Sequence, residues 1–226
     1  MLFSLIIPTY NEEKNISRLL ERLESFALPA EIIVCDGGSD DGTINTIKNN
    51  FSQVKLLQTD KGRGQQMDAA TVIATGDIYV FIHADSILEQ EYFIEVEQAV
   101  KRGASWGSGK VIFDNPQRIY RRIERCSNLR ASILHACYGD QAIFCTKELY
   151  YKIGGFKPMF FLEDLEFSKR AAAAAPPVIV DSEIITSSRR YEKQGVYRTI
   201  CRMQTVKLLY SLGFSLERIW QFYVKE

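Results

Sequence analysis

Three polar clusters, each directly after an apolar run, are the first places in this 226-residue chain where residue type and position could do chemistry. Phe3–Ile7 runs into Pro8-Thr9-Tyr10-Asn11-Glu12, Ile32–Cys35 into Asp36-Gly37-Gly38-Ser39, and Ile78–Ile82 into His83-Ala84-Asp85. Short apolar runs bounded by glycine and polar residues read as strands buried in a parallel sheet. In open α/β sheets, ligands bind beyond the carboxyl ends of the strands. Parallel pairing would therefore bring all three clusters to one edge and one ligand. Asp36 can there hydrogen-bond the base or ribose of a nucleotide. Each cluster also has a plainer role: Asn11 as a helix cap, Asp36 as a turn residue, His83 as an edge histidine. Capping alone rarely places acids after three successive buried strands, which favours a shared site.

Three later segments add charge. Glu163-Asp164 follows the apolar Met159–Leu162 and opens a helical pattern, where acids also suit a helix N-terminus electrostatically. In KGRGQQMDAA, Gly62 and Gly64 would let the backbone approach a phosphate beside Lys61, Arg63 and Gln66. A solvated basic loop is the plainer reading. Arg189-Arg190 follows a strand, and guanidinium forks suit a diphosphate, although an exposed pair can simply be solvated.

These groups need a scaffold, and the first hundred residues supply its pattern. Strand signals at 3–7, 32–35, 54–57 and 78–82 alternate with helical spacing at Ile16-Leu19-Leu20-Leu23-Phe26, Ile44-Ile47-Phe51, Met67–Ala74 and Glu89–Lys101. Asn11 and Asn15 are available as caps for the first helix. Such alternation predicts right-handed βαβ units and a mostly parallel sheet. Further strands are expected at 105–113, 142–145 and 178–180. Helices are expected at 116–132, 147–153, 163–175, 196–212 and 216–224, the last two broken at Gly213. The alanine tract 171–175 favours helix but carries no side-chain information.

Composition narrows the class. Hydrophobic content is 46%, charged content 25%, and formal net charge zero, which suits a globular domain and lacks the basic field that recruits nucleic acid. The five cysteines form no CxxC pair and read as reduced thiols. MLFSLIIP lacks the features of a signal peptide, and no apolar run approaches the ~20 residues of a membrane span. A cytoplasmic protein is expected, peripheral at most at the inner membrane face.

The segments SLIIPTYNEEKNI, EIIVCDGGSDDGT, ATGDIYVFIHADS and FFLEDLEFSKR resemble, in order, the motif set of family-2 glycosyltransferases with the GT-A fold. KGRGQQMDAA, YGDQAIF and TSSRRYEKQGVYRT are similar to a small subgroup, the radical-SAM/selenodomain-associated transferase 2 proteins. The resemblance implies one glycosyltransferase domain over 1–226, with a nucleotide-binding half (1–113), an acceptor and catalytic half (114–195) and C-terminal helices (196–226). It implies an inverting transfer from a nucleotide-diphosphate sugar, a UDP-sugar above all, to an acceptor hydroxyl. Pro8, Thr9, Tyr10 and Glu12 would line the base and ribose pocket, and Asp36 with Gly38 would read a uracil-type edge. Lys61, Arg63, Gln66, His83 and Ala84 would complete the nucleotide site. Asp85, in place of the family's DxD acid, would ligate Mg²⁺ or Mn²⁺, while His83 departs from the commoner Asp and would face phosphate or ribose. Asp164, beside Glu163, would be the general base. Asp140 and Gln141 would sit near acceptor and sugar, and Arg189 and Arg190 near the diphosphate. Asp68 stands where the subgroup more often has Asn.

The acceptor is not named by the sequence. The basic amphipathic segments 116–132 and 196–212 fit docking on an anionic membrane carrying a lipid-linked acceptor, helices packed on the domain, or a homodimer contact. Two other classes fit the sequence less well. A sugar-nucleotide pyrophosphorylase would show a glycine-rich loop after the first strand, and PTYNEE is not one. A non-catalytic nucleotide-sugar binder would need neither Asp85 nor Asp164.

Overall fold

The computed structural model describes residues 1–159 and 161–224, so Phe160 of the apolar run before Glu163 lies outside the described residues. The chain divides into two compact units, Met1–Thr186 and Ser187–Glu226.

In the first unit β1 (Phe3–Thr9), α1 (Glu13–Glu24), β2 (Ala30–Asp36), α2 (Thr43–Asn50), β3 (Lys55–Gln58), α3 (Arg63–Ile73) and β4 (Ile78–Phe81) alternate as expected. They are followed by α4 (Gln90–Lys101), β5 (Trp106–Phe113), α5 (Arg118–Leu134), a 3-10 turn (Gly139–Gln141), β6 (Ile143–Thr146), α6 (Lys147–Lys152), α7 (Glu163–Ala174) and β7 (Val178–Thr186). The seven strands form one sheet in the order β3-β2-β1-β4-β6-β5-β7. β1 pairs in parallel with β2 and β4, β2 with β3, and β5 with β7. β6 alone runs antiparallel to its neighbours β4 and β5.

That single reversal matters for the site. The carboxyl ends of β1, β2 and β4 share an edge with the amino end of β6. Thr9 pairs with Asp36 and Phe81 with Ile143, so the turn before β6 arrives beside His83.

Side chains alternate across the sheet. Phe3, Leu5 and Ile7 face a layer containing Leu19, Leu20 and Phe93. Ile6 faces the other, with Met67, Tyr150 and Phe167. β1 is buried along its whole length, which is why it reads as a continuous apolar run.

Several boundaries differ from expectation. α3 starts at Arg63 rather than Met67, which places KGRG at its amino end. β7 continues to Thr186 rather than stopping at Val180. It lies at the sheet edge, so one side can carry Asp181 and Glu183 while Val180 and Ile184 stay buried. Asn11 does not cap α1; it takes a left-handed conformation (φ 55°), and Glu12 stands at the cap position. The alanine tract has a packing role: Ala171 is buried beside Phe167, and the Ala175 carbonyl accepts the Trp106 indole N–H at 2.7 Å.

The second unit comprises α8 (Arg189–Gln194), α9 (Val196–Ser211) and α10 (Leu216–Val224). Gly195 (φ 83°) and Gly213 (φ 81°) make its two breaks. Arg190 and Arg202 lie 5.3 and 5.1 Å from the Tyr223 ring centre. Among the described residues no helix is long and apolar enough to cross a membrane.

Candidate active site

The wall formed by β1 and β2 is built from short polar clamps. Asp36 is fully buried; its Oδ2 accepts the Gly38 and Ser39 N–H groups (2.9 and 2.8 Å), and its Oδ1 accepts Ser39 Oγ (2.5 Å) and Thr9 Oγ1 (3.3 Å). Turn chemistry and strand-end position therefore coincide here: Asp36 shapes the wall it belongs to. Gly38 sits at φ 80°, which a side chain would strain. Asn11 closes the clamp, donating from Nδ2 to Asp40 Oδ1 (2.6 Å) while its Oδ1 accepts the Asp40 N–H (3.0 Å). The Glu12 N–H is held by Thr43 Oγ1 at 2.9 Å.

Gln66 is a staple across this wall. Its buried Nε2 donates to the carbonyls of Thr9 (2.8 Å) and Cys35 (2.7 Å), and its Oε1 accepts the Gly62 N–H. Pro8 is buried within β1, and the Ala84 methyl lies in the core. Of the residues expected around a nucleotide, Tyr10, Gly38, Lys61 and Arg63 are exposed. The Lys61 ammonium stands 3.5 Å from the centre of the Tyr10 ring.

Beyond β4 the charges converge. Arg63 Nε meets Glu163 Oε1 at 2.9 Å; Glu163 is 2% exposed and the Arg63 side chain 51%. Burial opposes the Arg63 charge, but the carboxylates of Glu163, Asp164, Asp140 and Asp85 outweigh it and raise the guanidinium pKa. Those acids come from the turn after β4, the turn before β6 and the start of α7, and they gather around one cation. Glu163 is itself pushed up, by burial first and by Asp164, against the pull of Arg63. Its Oε2 is buried without a hydrogen-bond partner.

His83 is part of the same cluster. Burial and then the Arg63 cation lower its pKa to about 4, against the opposing pull of Asp85 and Asp164, so the imidazole is neutral near pH 7. Asp164, half-buried, accepts the Gly139 N–H at Oδ2 (3.0 Å) and the Leu165 N–H at Oδ1 (2.7 Å). Gly139 has no room for more: a Cβ there would collide with the His83 imidazole. This glycine is a site residue that motif reading passed over, although it stands directly before Asp140 in YGDQ.

Gln141 is engaged as framework. It is fully buried; its Oε1 accepts Arg130 Nη2 (3.1 Å) and the Tyr138 N–H (3.2 Å), and its Nε2 points to Gly109 O and Asn128 Oδ1. Asp68 accepts the Tyr150 hydroxyl at 2.7 Å. Arg189 and Arg190 open α8 in the second unit. A surface hollow lined by Met1, Asp77, Ile78 and Lys147 lies at the opposite end of β4, away from the acids.

Asp85 fits a hard divalent cation only as part of a set. Among the described residues no three His, Cys, Asp or Glu side chains form a ready metal site. A half-buried carboxylate at a strand end offers one oxygen ligand, and diphosphate oxygens with water would supply the rest, as Mg²⁺ and Mn²⁺ accept. All five cysteines are unpaired, with Cys35, Cys137 and Cys145 buried.

Comparison with known proteins bears on the fold and the family. A dolichyl N-acetyl-α-D-glucosaminyl phosphate 3-β-D-2,3-diacetamido-2,3-dideoxy-β-D-glucuronosyltransferase of Methanococcus voltae is 32% identical over 111 residues, covering 44% of this chain and 35% of the relative. The chain thus matches about a third of that relative's length. Staphylococcus aureus TarS 1–349 in complex with UDP-GlcNAc superposes with a TM-score of 0.65 at 21% identity, over 83% of this chain and 58% of that one. The mannosyltransferase PcManGT of Pyrobaculum calidifontis, in complex with GDP-Man and Mn²⁺, gives 0.66 at 18% identity, over 90% and 60%. These structures share the fold, an α/β sheet of the GT-A kind. The family model described as "Glycosyl transferase family 2" matches residues 4–161, well over half of the chain, and the chain belongs to this family of sugar-transferring enzymes.

Proposed function

We propose that this enzyme moves a sugar from a nucleotide-diphosphate donor, a UDP-sugar, to an acceptor hydroxyl with inversion at the anomeric carbon. The observation that carries the reading is the Asp164 carboxylate, fixed by the Gly139 N–H beside His83 and within the charge cluster that includes Asp85. Asp164 would take the acceptor proton as the acceptor oxygen attacks the anomeric carbon. The bond from that carbon to the diphosphate breaks, and its electron pair leaves with the nucleoside diphosphate. In-line attack from the face opposite the leaving group inverts the centre. Arg63 supplies positive charge next to the leaving group. A divalent ion held through Asp85, when bound, would neutralise charge on the diphosphate oxygens.

Donor recognition belongs on this reading to the β1–β2 wall, with the Tyr10 ring as a stacking surface and Lys61 as the cation beside it. The UDP-GlcNAc complex of TarS and the GDP-Man and Mn²⁺ complex of PcManGT support the donor class and the metal. The dolichyl acceptor in the Methanococcus relative's name supports a lipid-linked acceptor here, and with it the peripheral membrane position expected from the sequence. Placement in the radical-SAM/selenodomain-associated subgroup rests on KGRGQQMDAA, YGDQAIF and TSSRRYEKQGVYRT.

Calorimetric titration with UDP and GDP, each with and without Mn²⁺, tests the reading. UDP binding strengthened by Mn²⁺ is expected. Absence of nucleotide binding would overturn the transferase reading, and binding indifferent to the metal would remove Asp85 from a metal-bridged site.

A further inference from the structure

α5 buries one face, and the residues along the opposite face are exposed among the described residues. Tyr120, Glu124 and Ala131 point into the unit and are buried. On the opposite side Arg118, Arg122, Arg125, Leu129 and Ile133 follow at spacings of three and four residues, which sets them in one stripe along the helix. Leu129 is 59% exposed, Ile133 64% and Leu134, at the helix end, 71%. Arg121 and Arg130 are held within the domain, Arg121 by Glu124 and Arg130 by Gln141 and the Ala136 carbonyl. The three arginines of the stripe make no ion pair among the described residues.

The stripe is thus cationic over its amino half and aliphatic over its carboxyl half. Its aliphatic end runs directly into His135 and, after four residues, Gly139, whose N–H holds Asp164. We propose that α5 seats the enzyme on an anionic lipid bilayer. The arginines contact lipid phosphates while Leu129, Ile133 and Leu134 enter the boundary with the acyl chains. Charge complementarity selects this occupant: lipid phosphates pair with the three arginines, whereas a second copy on the same stripe offers them only arginines or aliphatic side chains. The seating presents the Asp164 side of the site to the membrane surface, where a lipid-linked acceptor would reach it. This deepens the acceptor reading above and rests on it for purpose, though not for the binding itself.

The test is cosedimentation of the full chain with vesicles of phosphatidylglycerol mixed with phosphatidylcholine, and with vesicles of phosphatidylcholine alone. Wild type is expected to partition to the anionic vesicles at least ~10-fold better, with binding weakened by salt. R118E/R122E/R125E should abolish the preference. L129S/I133S should lower binding to anionic vesicles by roughly the same factor while leaving its salt dependence in place. Thermal melts and UDP titration of each variant report folding and the donor site separately. Loss of vesicle binding with UDP binding intact assigns the loss to α5; loss of UDP binding in wild type would strike the transferase reading and leave the vesicle result standing. The proposal is overturned if wild type binds both vesicles equally or neither. It is overturned too if the arginine variant binds like wild type, or if gel filtration shows a dimer that L129S/I133S dissolves without any vesicle binding.

Discussion

Arg63 and Glu163, a hundred residues apart in the chain, form an ion pair at 2.9 Å in which the acid is buried and the base half-exposed. The pair couples the amino end of α3 to the amino end of α7. It also fixes the cation around which Asp85, Asp140 and Asp164 gather. Gly64 makes the approach possible, because a Cβ there would press on the Lys157 carbonyl and on Glu163 itself.

Arg63→Ala should therefore cost more than a solvent-facing arginine normally does. It leaves Glu163 buried with neither oxygen paired, a defect worth about 1–2 kcal/mol after allowing for water reaching the Arg63 side. Glu163→Gln in the same background should recover most of the loss, because the neutral amide needs no counter-charge. A double-mutant cycle from denaturant melts measures the coupling. A coupling near zero would show the pair to be a surface contact without energetic weight.

Asp164→Asn should leave the fold and donor affinity close to wild type. The amide oxygen can still accept the Gly139 N–H, and what is lost is the acceptor for the Leu165 N–H in the first turn of α7. Transfer should fall by ~10²–10⁴, the usual contribution of a positioned base. UDP titration beside a turnover assay separates the two quantities. Equal loss of both would mean that Asp164 holds the structure rather than the proton.

Much of this was legible in the sequence, and the rest was hidden for identifiable reasons. β1, β2 and β4 declare themselves because strands covered on both faces are apolar throughout, and their polar ends follow at once. β7 reads as shorter than it is because an edge strand needs only one apolar side, and Asp181-Ser182-Glu183 masks the alternation. Gln66 and Gln141 stand inside recognisable segments, yet their amides staple backbone carbonyls and neighbouring side chains. Sequence shows that a polar side chain is present, not which partners it has already found. The meeting of Gly139 with His83 depends on β6 running against β4, and no local pattern carries the direction of a pairing.

Gly139→Ala follows from that meeting. The added methyl would strike the His83 imidazole, so either the 3-10 turn or the ring must shift. Overpacking of this kind costs about 1–3 kcal/mol. The shift also moves the N–H that holds Asp164, so kcat should fall while UDP affinity stays nearly constant. Combining the change with His83→Ala should relieve the collision and return part of the lost thermal stability. If the single variant melts and turns over like wild type, the contact is not tight.

Acid stability should be governed in part by Glu31, far from the site. Its Oε1 accepts Ser4 Oγ (2.5 Å) and the Thr75 N–H (2.5 Å), and its Oε2 accepts Lys55 Nζ (2.6 Å), so one carboxylate ties β1, β2, β3 and the turn before β4. Burial alone would raise its pKa, but the bonds from Lys55, Ser4 and Thr75 together hold it down at about 2 against an ordinary value of 4.5. A folded pKa below the unfolded one means that the unfolded chain binds the proton first as pH drops. The stabilisation is thus complete above about pH 4.5 and is lost progressively as pH falls toward 2. Denaturant melts in steps from pH 6 down to roughly pH 2 should show this slope in wild type and a shallower one in Glu31→Gln. The glutamine variant should be less stable than wild type at pH 6, and the two curves should converge at the acid end. Parallel curves over the whole range would mean that the carboxylate's bonds are made equally well by its neutral form.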